Sequence, residues 1–297
     1  MKAARAWVVG MVALGSLAGV ARAEEAKPAA LPNPFYAMDT AFQRGGMTTA
    51  DEFALVAKLG YAGFAWHECA PDQAKAIVAE AGKAGLKMHT IYCAASVTPQ
   101  GMLAVGAKLP ELMAALKGSG AIIWLHVGGK GPAFASLTGD EPLVKKLREL
   151  SDIAAANGLR IAIYPHMGEW TAKFADATKL ALVVKHPQFG VTFNLCHAMA
   201  MGEEQAIPAL LDQAKAVLFT VSICGADTGV TGGDWGKLIQ TLDKGTFNQV
   251  VLLKKLKAIG FTGPIGFQGY GIKGKAEEIL GPTMNAWRKL SAEAAQE

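Results

Sequence analysis

Five of the six histidines, His67, His89, His126, His166 and His197, fall in or just after short apolar runs. Imidazole titrates near neutral pH, so it is the natural general acid or base at a site of proton transfer. Glu68, Tyr164, Asn194, Ser222, Asp227, Gln268 and Tyr270 stand in or just beyond the ends of the same kind of run. Hydroxyls, amides, imidazoles and aromatic rings together suit a polyhydroxylated ligand: each hydroxyl needs donors and acceptors, and each apolar sugar face needs a ring. Trp66, Trp124, Trp170 and Trp235 lie in or near the same segments. Taken singly, a strand histidine reads as a packing residue, and each tryptophan reads equally well as one that packs a helix onto the barrel. His89, early in its run, reads equally well as a core histidine, and His186, before Pro187, reads as a cap or surface residue. The recurrence of polar groups at one end of successive runs is what suggests a site.

The elements that position them alternate regularly. Strand-like runs occupy 35–38, 61–66, 86–92, 121–126, 160–164, 189–194, 217–222 and 264–268. Several are nearly continuous apolar stretches, the pattern of parallel strands covered on both faces. Helical stretches separate them. Thr49-x-x-Glu52 reads as a capping box ahead of Phe53, Val56 and Leu59, and Pro71 with Asp72 opens a helix that Gly85 stops. Asp140 and Pro142 open another, with Leu143, Leu147 and Leu150 on one stripe and Asn157-Gly158 at its end. Eight strands alternating with helices predict an α/β protein, a single-domain (β/α)8 TIM barrel over 35–297. A doubly wound open sheet would want a strand, a G-x-G-x-x-G turn and a helix, which the chain lacks. In a barrel the chemistry sits at the C-terminal strand ends. The strand period of two then puts Tyr164 with His166, Trp124 with His126, and Gln268 with Tyr270 on shared faces.

The first 23 residues read differently. Lys2 and Arg5 precede an uncharged run from Ala6 to Val20, and Ala21-Arg22-Ala23 matches a small-x-small cleavage site. This predicts a signal peptide over 1–23, a linker over 24–34 and an exported, periplasmic or secreted protein free of the membrane after cleavage. Three of the 29 basic residues lie in that segment, leaving 26 against 25 acids, so the remainder is close to neutral. A nucleic-acid partner is not expected, because phosphate binding needs a basic surplus. With 51% hydrophobic and 18% charged residues, the chain is not disordered either. Cys69, Cys93, Cys196 and Cys224 are too few and scattered for a disulfide scaffold, and they read as buried thiols.

Certain motifs are more specific. Leu59-Gly60-Tyr61-Ala62-Gly63, Tyr164-Pro165-His166, Phe193-Asn194-Leu195-Cys196-His197 and the stretch from Gly263 through Gln268 to Tyr270 resemble the xylose isomerase-like TIM-barrel family. That family includes sugar-phosphate isomerases and epimerases and AP-endonuclease-type enzymes. The resemblance runs from about Phe35 to the final helix and is nearest to an exported branch. It implies a divalent metal held by glutamate, aspartate, histidine and glutamate on strands five to eight. Here Tyr164, Asn194, Ser222 and Gln268 stand at those places, whereas His166 and His197 are kept. Hard cations such as Mg²⁺ or Mn²⁺ want anionic oxygen, so the inherited metal site reads as dismantled and no cofactor is assigned. The remaining imidazoles leave room for a softer ion such as Zn²⁺, with charge lent by Asp227 or Glu68.

The expected function is an exported sugar isomerase- or epimerase-like enzyme, transferring a proton next to a carbonyl of a sugar or keto-sugar. His166 and His197 are its catalytic candidates. His67, Glu68, His126, Tyr164, Asn194, Ser222, Asp227, Gln268 and Tyr270 are its substrate-binding candidates. The alternative is a non-catalytic carbohydrate-binding protein on the same barrel. An endonuclease is disfavoured by the charge balance and the missing acids.

Overall fold

The computed structural model describes residues 30–296; the expected signal peptide and the linker up to residue 29 lie outside the described residues. Among the described residues nine strands form one sheet: β1 Phe35–Met38, β2 Gly63–Trp66, β3 Lys87–Val97, β4 Leu103–Val105, β5 Ile122–Gly129, β6 Arg160–Ile163, β7 Phe189–Asn194, β8 Leu218–Ile223 and β9 Ile265–Phe267. All but β4 pair in parallel, and the β1–β9 and β2–β3 pairings close the ring. The result is the eight-stranded (β/α)8 barrel read from the alternation. β4 pairs antiparallel with β3 outside the ring. It was not anticipated, and neither was the extension of β3 to Val97 and of β5 to Gly129. The added residues, Cys93-Ala94-Ala95-Ser96-Val97, are mostly small and alternate between buried and exposed, so their sequence carries little strand signature.

Two layers of side chains hold the barrel. Phe64, Ile91, Ile123, Leu125, Ile161, Ile163, Val191, Phe193, Val221, Ile265 and Phe267 point outward and are buried against the helices. The inner layer packs Tyr36, Met38, Ala65, Ile122, Trp124, Ala162 and Tyr164, with Tyr92 and Phe219 against them. The period of two breaks at two places. Between β2 and β3 the register steps from Phe64↔Met88 to Ala65↔Thr90, leaving His89 over. Between β7 and β8 it steps from Val191↔Leu218 to Thr192↔Thr220, leaving Phe219 over. Such bulges re-aim every side chain beyond them. Each bulged ring lies over a glycine on the preceding strand, Gly63 under His89 and Gly190 under Phe219.

Helix ends follow the expected chemistry with small shifts. The first long helix, Thr49–Leu59, is capped by Thr48, whose hydroxyl accepts the Asp51 amide at 3.2 Å, one residue earlier than the sequence suggests. Glu141 rather than Asp140 precedes the helix Pro142–Ala156, whose Leu143, Leu147 and Leu150 are buried as its stripe requires. Asn248 caps Gln249–Ala258 by accepting the Val251 amide at 3.2 Å. Asn248→Ala is expected to cost about 1 kcal/mol, read as a lower urea midpoint with unchanged slope; an unchanged midpoint would show that the cap contributes nothing. Cys93, Cys196 and Cys224 are buried free thiols and Cys69 is half-buried. Among the described residues, no helix is long and apolar enough to cross a membrane.

Candidate functional site

At the C-terminal mouth of the barrel lies a cavity of about 290 Å³, the lower edge of the size range of small-molecule sites. Thr40 enters it from the turn after β1 and Tyr92 from β3. Tyr164 and His166 follow β6, and His197 projects from the short helix Leu195–Ala200 after β7. Trp235 and Ile239 come from the loop after β8, and Gln268 and Tyr270 from the loop after β9. The shared faces deduced for Tyr164 with His166 and for Gln268 with Tyr270 are both found here.

The two histidines are wired through one residue. Their ring centroids are 4.2 Å apart. His166 Nδ1 lies 3.0 Å from the Met167 carbonyl oxygen, which can only accept, so this nitrogen carries a proton. The Met167 amide donates to His197 Nδ1 at 3.2 Å, so that nitrogen carries a lone pair. A neutral His166 therefore presents Nε2 as an acceptor, and His197 presents Nε2–H as a donor. Burial, together with the neighbouring His166, pushes the His197 pKa down to about 3, so it stays a neutral donor across the physiological range. Trp235 packs edge-on against His197 at 5.2 Å.

The floor is an uncharged chain. Thr40 donates to Gln268 Oε1 at 2.8 Å, the Tyr270 amide donates to the same oxygen at 3.0 Å, and Gln268 Nε2 donates to the Tyr164 hydroxyl at 3.4 Å. Tyr164 is 1% exposed, and burial lifts its phenol above the ordinary tyrosine range. Tyr92 is raised in the same direction, first by burial and then by Tyr164.

The other residues singled out by sequence go elsewhere. His67 pairs with Asp39 at 2.7 Å, and this hydrogen bond raises its pKa. Glu68 is exposed and accepts the Ala94 amide at 3.0 Å. His126 is held by Glu169 at 2.7 Å, which raises its pKa also. His67 and Glu68 follow β2 and His126 lies in β5, and neither strand contributes a residue to the cavity lining. Asn194 is buried and is not part of the cavity lining, its Oδ1 accepting the Cys196 thiol at 3.2 Å and its Nδ2 without a partner among the described residues. The fully buried Ser222 donates to the Met38 sulfur at 3.6 Å. Asp227 is half-exposed in the β8 loop, where its amide donates to the Lys237 carbonyl. Of the four tryptophans only Trp235 reaches the cavity; Trp124 fills the barrel, Trp66 packs in the outer layer and Trp170 stacks on Phe134.

Thr40, Tyr92, Ile239, Asp39 and Glu169 were not singled out. Asp39 and Thr40 directly follow β1, so the strand-end rule reaches them. Tyr92 is turned inward by the bulge at His89, which sequence periodicity does not show.

The positions where the resemblance implies a metal can be tested by their donors. The Tyr164 phenol is kept protonated by burial, the Asn194 and Gln268 oxygens already accept hydrogen bonds, and Ser222 is bonded to Met38. None offers an anionic oxygen. His197 Nε2 carries a proton in its tautomer, leaving the His166 nitrogen as a single free donor. Among the described residues no group of three or more His, Cys, Asp or Glu side chains is clustered to hold an ion. These residues do not fit a divalent metal.

Comparison with known proteins bears on the whole barrel. The family described as xylose isomerase-like TIM barrel matches residues 53–290. No curated protein matches the sequence significantly. Among solved structures, the IOLI protein with a bound zinc atom is similar at 17% identity and TM-score 0.67, over 87% of this chain and 98% of that one. D-allulose 3-epimerase from Methylomonas sp. is similar at 14% identity and TM-score 0.63, over 89% and 99%. 3-Keto-D-glucoside 4-epimerase from E. coli is similar at 16% identity and TM-score 0.59, over 86% and 99%. At such identities the structural likeness concerns the fold. The match over residues 53–290 carries more, and with the closed parallel barrel it places this chain in the xylose isomerase-like TIM barrel family.

Proposed function

We propose that the protein is a sugar-processing enzyme that moves a proton at the carbon beside a carbonyl of a sugar or keto-sugar, in the manner of an isomerase or epimerase. The observation that carries this reading is the Met167-wired pair, which fixes one imidazole as acceptor and its neighbour as neutral donor. His166 Nε2 takes the proton from carbon as the electron pair moves onto the carbonyl oxygen. His197 Nε2–H hydrogen-bonds that developing oxyanion without giving up its proton. Return of the proton from His166 to the adjacent carbon, as the neighbouring hydroxyl passes its proton to the oxyanion, gives an isomer; protonation of the first carbon by water from the opposite face, with His166 releasing its proton to solvent, gives an epimer. Gln268 and Thr40 are placed for sugar hydroxyls, and Trp235 and Tyr270 for an apolar ring face. A keto-sugar acidifies the neighbouring C–H bonds through its own carbonyl, which suits a cavity without metal donors. The epimerases among the structural relatives lend support. We further propose that the protein is exported, on the order of basic, apolar and small residues over 1–23.

A second reading, a carbohydrate-binding protein, is favoured by a separate observation: among the described residues no carboxylate lines the cavity. The two separate in D₂O. The enzyme reading expects deuterium to enter the carbon beside the carbonyl of a bound keto-sugar such as 3-ketoglucose, seen by NMR, at a rate unchanged by EDTA. Binding by calorimetry without any exchange would leave the binding protein. Exchange abolished by EDTA would show that the donors at Tyr164, Asn194 and Gln268 have been misjudged.

A further inference from the structure

A second cavity of about 370 Å³ adjoins the first and shares Trp235, Ile239 and Tyr270 with it. Its charged lining residues are Lys244 and Lys273, and among the described residues no carboxylate lines it. Neither lysine forms an ion pair with a carboxylate among the described residues. Both walls are fixed. Arg44 donates to the carbonyls of Gly269 at 2.9 Å and of Ile272, which anchors the loop carrying Tyr270 and Lys273 to the turn after β1. The opposite wall is tied to the end of β8 by Gly225 and Gln240, which exchange backbone hydrogen bonds at 3.0 and 2.8 Å. Such a preformed pocket binds without the cost of ordering its loops.

Resting on the reading above, we infer that this second cavity is a subsite for the next unit of a glycoside, and that this unit carries an anion. The first cavity has room for one small ring; the second more than doubles the space. The shared wall is aromatic on the side where a second ring would continue from the first, and aromatic faces suit sugar faces. The two lysines that line the second cavity form no ion pair among the described residues. Two lysines on an otherwise uncharged lining favour an anionic group there, a carboxylate as on a uronic acid or a sulfate ester, since an ammonium is a compact point charge. The substrate class is therefore an acidic disaccharide or longer glycan with its oxidised ring in the first cavity.

The test compares a neutral 3-keto-disaccharide with two counterparts whose second ring bears a uronate or a 6-sulfate. Calorimetry is run at about 20 and 300 mM NaCl, on the wild type and on a Lys244→Gln/Lys273→Gln double variant. Both lysines are exposed, and an unchanged melting temperature checks that the variant is folded. At low salt at least one acidic ligand is expected to bind about tenfold more tightly than the neutral one. High salt shrinks that ratio, and in the double variant it falls close to one. The uronate and sulfate arms tell which anion is meant. The subsite is wrong if neither acidic ligand binds more tightly, if the preference survives in the double variant, or if no disaccharide binds. Deuterium exchange on the same ligands is scored separately: preference without exchange keeps the subsite and removes the enzyme, and exchange without preference does the reverse.

Discussion

His166→Gln is expected to slow deuterium exchange by about 10²–10⁴, the usual contribution of a general acid or base, while ligand affinity changes by less than tenfold. The substitution is chosen for what it keeps. A glutamine amide can still donate to the Met167 carbonyl, so the turn between His166 and Thr171 has the same anchor, but it has no lone pair that can accept and return a proton near neutral pH. His197→Gln should behave differently. Its neighbour's amide N–H keeps an acceptor in the new side-chain oxygen, and the amide nitrogen can replace the Nε2–H donor. Since His197 is held neutral, pushed down to about 3 by burial and by His166, its role is hydrogen-bond donation, and a replacement donor should preserve much of the rate. The comparison is made by NMR exchange with calorimetry alongside. Equal losses in the two variants would sink the division of roles, and an undiminished rate in His166→Gln would remove it as the base.

The architecture was legible because its signs are repetitive. The strands of the ring begin as apolar runs, and the helices at Thr49, Pro71 and Pro142 have recognisable starts, so errors of a residue or two at the ends do not change the count. The site was legible where the period of two holds without interruption. From β6, Tyr164 and His166 reach the cavity together, and from β9 Gln268 and Tyr270 do the same. It was not legible where the chain departs from that period. The extra residue at His89 turns Tyr92 inward, and the extra residue at Phe219 sets Ser222 against Met38 inside the barrel. His67, Glu68 and His126 satisfy the strand-end rule, yet Asp39, the Ala94 amide and Glu169 hold them outside the cavity. A strand-end position states which end of the barrel a side chain occupies; its partner decides whether it faces the centre.

The glycines under the two bulges are places where the fold should tolerate no side chain. A Cβ added to Gly190 would sit 2.3 Å from the Val217 carbonyl oxygen and 2.8 Å from the Phe219 ring. One added to Gly63 would sit 2.0 Å from the Lys87 carbonyl oxygen and 2.8 Å from the His89 ring. In each case one obstacle is backbone on a paired strand of a closed ring, so relief requires the ladder itself to move. The other obstacle is the bulged ring, which packs against the interior: His89 lies 5.1 Å from Tyr36, and Phe219 packs against the inner cluster. Gly190→Val adds three carbons into that space. It should cost roughly 4 kcal/mol or more, beyond ordinary overpacking, and so a large part of the ~5–15 kcal/mol that holds a domain together. The expected result is little soluble protein, or a urea midpoint far below wild type. Gly82→Ala supplies the opposite sign. Gly82 lies in the helix Pro71–Lys83 with nothing within 4 Å of an added Cβ, and the change should stabilise by about 0.5–1 kcal/mol. If Gly190→Val unfolds at the wild-type midpoint, the Phe219 bulge is not seated on Gly190, and the account of why Ser222 turns inward to Met38 fails with it.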